Sequence, residues 1–361
     1  MSLVKHIRQV KIGSHFLGGG EPILIQSMTN TKTSDLKATI NQINSLYLAG
    51  CEIVRVAVPT EDDVLALKTI VANSPIPVVA DIHFNYRLAI AAIEAGVHKV
   101  RINPGNLGGT DKLLTVAKAA KGRTAIRVGV NSGSLPQNKI DLINAGRLTR
   151  AEAMAEAAKE YSAFLDDHDF HDIVVSLKAS DVPTTIAANR KFRELTDIPL
   201  HLGVTEAGTL FSGTVKSAVG LGTLLMEGIG ETIRVSLTAD PTEEIKVAKE
   251  ILKACGIRRL GVNVIACPTC GRTNINLAEL AKSVEKMVES ITDDLTVAVM
   301  GCAVNGPGEA READLGIAGG KGEGLIFVGG EVVEKVPEAE LLKRFQFHLG
   351  KVIEEKRKDR Q

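Results

Sequence analysis

Tryptophan is absent from this 361-residue chain, and aromatic residues supply only 3% of it. So little aromatic surface argues against a platform on which unpaired bases stack. Net charge is missing as well: 43 Lys and Arg balance 43 Asp and Glu. No global field draws the protein to nucleic acid or to an anionic membrane. The opening Met1-Ser-Leu-Val-Lys-His6 lacks the apolar core of a signal peptide, and no uncharged run approaches the roughly 18–20 residues of a membrane span. Without an export signal, an odd five cysteines read as reduced thiols in the cytoplasm.

What the chain does have is a repeating pattern. Short runs rich in Val and Ile fall at residues 23–29, 52–58, 78–84, 99–104, 125–131, 172–179, 200–206 and 232–237, each followed by a segment of helical period. Thr149-Arg-Ala-Glu152 reads as a capping box, and Asp240-Pro-Thr-Glu243 as a capping Asp with a first-turn Pro. Near-continuous apolar strands alternating with helices indicate a parallel sheet, and eight such units predict a (β/α)8 TIM barrel over residues 1–256. An open doubly wound sheet is the rival. Residues 9–13 and 15–19 read as a small hairpin closing the barrel bottom. Beyond the barrel, residues 257–361 predict a smaller α+β domain with strands at 260–266 and 295–300, a helix at 276–290 and a hairpin at 325–336. Gly319-Gly-Lys-Gly-Glu-Gly324 resembles a phosphate loop only superficially, since no strand-to-helix context surrounds it. A turn between strands is the better reading.

Five of the eight strands carry a cation in an otherwise apolar run: Arg55, Arg101, Arg127, Lys178 and Arg234. Barrel strands are buried on both faces, so unpaired charge there is costly. Acidic candidates on the same strands are Asp81, beside His83, and Glu206. An internal salt-bridge layer is one reading. The other is a socket at the C-terminal mouth for a phosphate or diphosphate, whose oxygens suit the bidentate guanidinium. Asn103-Pro-Gly-Asn-Leu-Gly-Gly109 and Asn131-Ser-Gly-Ser-Leu135 follow strands four and five and can bring backbone N–H groups to such an anion. Ser236 shares a strand face with Arg234.

Cys267-Pro-Thr-Cys270 and Cys302, in Gly301-Cys302-Ala-Val-Asn-Gly306-Pro-Gly308-Glu309, gather three of the five cysteines. Three thiolates are one short of the common all-cysteine zinc or iron–sulfur set. A dithiol of thioredoxin type leaves Cys302 unexplained. A structural zinc needs a fourth Cys or His, and the nearby His348 sits in a terminal helix. The third possibility is a [4Fe–4S] cluster with an unusual fourth ligand, for which Glu309 is placed. Cys51 and Cys255 read as core residues.

Both cysteine motifs resemble those of the bacterial 4-hydroxy-3-methylbut-2-en-1-yl diphosphate synthases in their two-domain form. So do Ile25-Gln-Ser-Met-Thr-Asn30, Ala80-Asp-Ile-His-Phe84, Val100-Arg-Ile-Asn-Pro-Gly-Asn106 and His201-Leu-Gly-Val-Thr-Glu206. The likeness spans nearly the whole chain. It implies reductive ring opening of 2-C-methyl-D-erythritol 2,4-cyclodiphosphate to (E)-4-hydroxy-3-methylbut-2-enyl diphosphate in the non-mevalonate isoprenoid route. By resemblance, Cys267, Cys270, Cys302 and Glu309 ligate a [4Fe–4S] cluster. Arg55, Arg101, Arg127, Lys178, Arg234 and Ser236 hold the diphosphate with His83, Asn103 and Asn131, and Glu206 donates or relays a proton. The family also implies a flavodoxin or ferredoxin as electron donor. The helix after strand eight returns to the barrel bottom, so a homodimer in which each small domain serves the other chain's barrel is expected.

Overall fold

The computed structural model describes residues 6–273, 275–302, 308 and 311–359. It forms two units, divided between Arg258 and Arg259.

The first unit opens with the expected hairpin, β1 (Val10–Ile12) and β2 (His15–Leu17). The turn uses Gly13 at φ 60°, where any Cβ would also press on His98 and Pro77. Eight parallel strands follow: β3 (Leu24–Met28), β4 (Ile53–Ala57), β5 (Val78–Asp81), β6 (Lys99–Ile102), β7 (Ala125–Asn131), β8 (Ile173–Lys178), β9 (His201–Leu202) and β10 (Thr232–Ile233). They pair in the order β8-β7-β6-β5-β4-β3-β10-β9. A parallel bridge from Val175 to Leu200 joins the two ends, so the sheet closes into a barrel rather than lying open. Helices pack outside, started by the caps the sequence announces. Thr149 and Glu152 make a reciprocal capping box, and Asp240 accepts from the N–H of Thr242 with Pro241 at the first helical position.

Val10, Ile12 and Leu17 of the hairpin pack against Leu24, Ile53, Val79, Ala125 and Val174. This apolar floor seals the N-terminal end of the barrel. It also sets which residues point inward, because side chains alternate along a strand. The seventh and eighth strands are shorter than expected. The chain turns left-handed at Glu206, φ 52°, and the N–H of Leu237 donates to the Glu244 carboxylate instead of to a neighbouring strand.

The second unit is a five-stranded sheet in the order β11 (Val262–Ala266), β12 (Leu295–Met300), β13 (Leu315–Gly319), β14 (Glu323–Val328), β15 (Glu331–Pro337). The first three strands are parallel and the last two antiparallel. Helices Leu277–Val288 and Leu341–Asp359 contribute Val284, Phe345 and Leu349 to a core with Val297, Ile317 and Ile326. The sequence reading missed β13. Its Leu-Gly-Ile-Ala-Gly run is rich in small residues because Gly316 lies beneath the Phe327 ring, where a Cβ would collide. The glycine run at 319–324 is the turn between β13 and β14.

Candidate active site

Counted from the floor, the inward positions of the barrel run to Arg55, Asp81, Arg101, Arg127, Lys178 and Arg234. All but Arg234, which is half-buried, are buried. Register sets Asp81 opposite Arg101 and Arg101 opposite Arg127. The five expected cations thus share the interior near the C-terminal mouth, where barrels carry their sites. A sixth, Lys99, lies two residues before Arg101 on the same face of β6 and is fully buried. Its position at the start of an apolar run disguises it as a strand edge. The signal was its spacing from Arg101.

Two carboxylates answer these six cations. Asp81 lies 3.2 Å from Arg101 Nη1, 3.7 Å from Arg55 Nε and 3.5 Å from His83 Nε2. Burial by itself would raise the Asp81 carboxyl, but Arg55, His83 and Arg101 hold it well below the usual carboxylate range. The second acid corrects the sequence reading. Glu206, expected as a strand residue within the ring, is exposed on a turn past β9. The counter-charge comes from Glu244, in the first turn of helix Pro241–Ala254. Its carboxylate accepts from Arg234 Nε at 3.3 Å and Nη2 at 3.2 Å, and from Ser27 Oγ at 2.9 Å. A buried Glu four residues past a helix-capping Asp was the available clue.

The remaining positive charge is strained electrostatically. Burial lowers the Arg55 guanidinium to about 10, and Arg234 and Arg101 push it the same way against Asp81. Burial likewise lowers Arg127 and Lys178 far from their ordinary values, reinforced by the neighbouring arginines. An interior charged in this way favours a multiply charged anion.

Two inward glycines make room for the long side chains. A Cβ on Gly129 would stand 2.8 Å from Arg101 Nε, and one on Gly203 2.6 Å from Lys178 Nζ. At the mouth, Asn103 Nδ2 donates to Ser134 Oγ at 2.7 Å, and Ser134 in turn donates to the carbonyl of Asn131. The two glycine-containing loops are therefore tied together. Asn103 also accepts from the N–H of Gly105. His83 is exposed beside Asp81, and Ser236 is half-buried two residues beyond Arg234.

In the second unit, Cys267 follows β11 and its N–H donates to Val299 of β12 at 3.0 Å. Cys302 follows β12 and is buried. These two cysteines therefore end adjacent parallel strands. Cys270 is exposed on a turn, where a backbone hydrogen bond at Arg272 and the Thr273 hydroxyl lower its thiol. Among the described residues no three His, Cys, Asp or Glu side chains are gathered as a metal set. Glu309 and residues 303–307 lie outside the described residues. The donors present are soft sulfurs, which fit an iron–sulfur cluster. His348 is taken by Glu334 at 2.9 Å. Cys51 is a core residue whose thiol burial pushes up to about 12.

Comparison with known proteins follows the same division. Residues 7–249 match the GcpE TIM-barrel domain and residues 263–351 the GcpE protein C-terminal domain. A Clostridium perfringens protein named 4-hydroxy-3-methylbut-2-en-1-yl diphosphate synthase (flavodoxin) is 56% identical over 351 residues, covering 97% of this chain and 99% of its own. A Geobacter sulfurreducens protein of the same name is 53% identical over 350 residues, covering 97% and 98%. Among solved structures, N-acetylneuraminic acid synthetase from Leptospira borgpetersenii aligns with 70% of this chain and 90% of its own at TM-score 0.50 and 13% identity, a likeness of barrel fold alone. With both domains matched in order and such relatives along nearly its whole length, the chain belongs to the GcpE family, that of the 4-hydroxy-3-methylbut-2-en-1-yl diphosphate synthases.

Proposed function

We propose that the inward cations of the barrel bind the diphosphate of 2-C-methyl-D-erythritol 2,4-cyclodiphosphate, whose ring is opened reductively to (E)-4-hydroxy-3-methylbut-2-enyl diphosphate. The reaction consumes two electrons and two protons and releases water. The observation that carries this reading is the surplus of five buried or half-buried cations over two carboxylates toward the barrel mouth. Arg55, Arg101, Arg127, Lys178 and Arg234 meet the phosphate oxygens, with Ser236, His83, Asn103 and Asn131 at the rim. Glu206, on its exposed turn, supplies the proton that turns the departing hydroxyl into water. Its left-handed backbone is a conformation that proteins retain where function requires it.

Cys267, Cys270, Cys302 and Glu309 would hold a [4Fe–4S] cluster, residues 257–361 being its domain and residues 1–256 the diphosphate-binding barrel. When bound, the cluster supplies the electrons one at a time. The relatives' name points to flavodoxin as the donor, and a ferredoxin, another one-electron carrier, is the alternative. Among the described residues no helix is long and apolar enough to cross a membrane, which supports a cytoplasmic enzyme. Helix Pro241–Ala254 runs back toward the floor, and only seven residues separate it from β11. The chain thus leaves the barrel at the end opposite the cations, which supports a homodimer whose small domains each serve the partner's barrel.

Anaerobic purification tests the reading. Iron and sulfide should each approach about four per chain, and Arg101→Met should raise the KM for the cyclic diphosphate about 100-fold. Colourless zinc protein, or an unchanged KM, would overturn it.

A further inference from the structure

Between the apolar floor and the diphosphate cations lies a second polar layer. Barrels of this kind fill that level with branched apolar side chains. Here the inward positions carry Gln26, Lys99, Arg127, Ser176, His201 and Thr232, each at most 2% exposed. His201 Nδ1 and Thr232 Oγ1 are 2.9 Å apart. Among the described residues, nothing bonds Lys99 Nζ, Arg127 Nε and Nη1, Gln26 Nε2 and Oε1, or His201 Nε2.

The unpaired atoms are mostly donors. In the tautomer whose Nδ1 accepts from the Thr232 hydroxyl, His201 carries its proton on Nε2 and is a donor too. The nearest carboxylates lie in the layer above: Asp81 holds Arg55 and Arg101 and acts on Arg127 without bonding it, and Glu244 holds Arg234. The charges acting on Lys99 are those of Arg127 and Arg55, both of its own sign, and burial adds to them in disfavouring its ammonium. Unpaired donors and cations in a sealed interior are costly. The floor beneath is closed by Leu24, Val79 and Val174, so any occupant must be compact.

We infer that this layer binds one small inorganic anion of chloride size, held by Lys99 Nζ, Arg127 Nε, Gln26 Nε2 and His201 Nε2. The anion supplies the negative charge that the fold omits at this level. It lies one inward position below Arg101, Lys178 and Arg234 and shares only Arg127 with the diphosphate site. The site does not depend on the redox reading above.

Bromide supplies the probe. Crystals of the anaerobically prepared holoenzyme soaked in bromide should show an anomalous peak between Lys99 and His201. No peak in this layer, or one only beside Arg101 and Lys178, overturns the inference. In solution, replacing sodium gluconate by sodium chloride at equal ionic strength should raise the holoenzyme's Tm by about 3–6 °C, the size expected for a ligand in about tenfold excess over its Kd. Lys99→Met should abolish that rise, and an equal rise in the variant overturns the site. If Lys99→Met fails to fold, Gln26→Leu serves instead. It should at least halve the chloride effect, and an unchanged effect would count against the site.

Discussion

A methyl group decides whether Arg101 can lie across the barrel. Gly129→Ala would place Cβ 2.8 Å from Arg101 Nε, closer than real Cβ contacts allow. The guanidinium must then shift from Asp81, and with it from the diphosphate proposed for it. The KM for the cyclic diphosphate should rise about tenfold, close to 1.4 kcal/mol of binding, while kcat changes less. Steady-state kinetics would detect this, and an unchanged KM would show that Arg101 needs no such room. Lys178 sets a pH dependence at the same scale. Burial lowers its pKa, so the ammonium proposed to meet the diphosphate is complete below that depressed value and is lost as pH rises through it. The KM should therefore climb with rising pH from below the range in which an ordinary lysine titrates. Lys178→Arg should flatten the climb, because a guanidinium holds its proton more tightly than an ammonium in the same surroundings. A profile identical in both proteins would remove Lys178 from the binding step.

Among the elements, the N-terminal hairpin is the one whose role is easiest to underrate. β1 and β2 are three residues each, yet Val10, Ile12 and Leu17 have no solvent exposure. They form the floor that fixes the inward parity of five barrel strands. Leu17→Ala should cost about 2–5 kcal/mol of barrel stability, the range for a fully buried leucine. Urea unfolding would show it as a lower midpoint at constant slope. A loss under about 1 kcal/mol would mean that the hairpin merely covers the barrel instead of completing its core. Helix Pro241–Ala254 matters in a comparable way, because its first turn delivers Glu244 to Arg234 and Ser27 and so joins the last and first barrel strands.

For the whole molecule, the proposed sharing of active sites between two chains makes a quantitative prediction. Cys270→Ser, on an exposed turn, and Glu206→Gln should each be inactive alone. Mixed and reassociated in equal amounts, half the dimers pair unlike chains, and each such dimer holds one site with both parts intact. About a quarter of the wild-type activity should return. No recovery, with mixed dimers verified by mass, would place both parts of each site in one chain. The sequence itself determined the two-unit plan, the eight Val- and Ile-rich strands, five of the six interior cations and the three clustered cysteines. Those are local signals, readable because apolar period, caps and charge within an apolar run lie within a few residues of one another. Only tertiary structure decided the depth of Lys99, the pairing of Glu244 with Arg234 and with Ser27 across 217 residues, and the need for glycine at 129 and 203. Barrel closure brings Ser27 to Glu244 and Gly129 beside Arg101 from distant parts of the chain, and no short window of sequence contains both members of either pair.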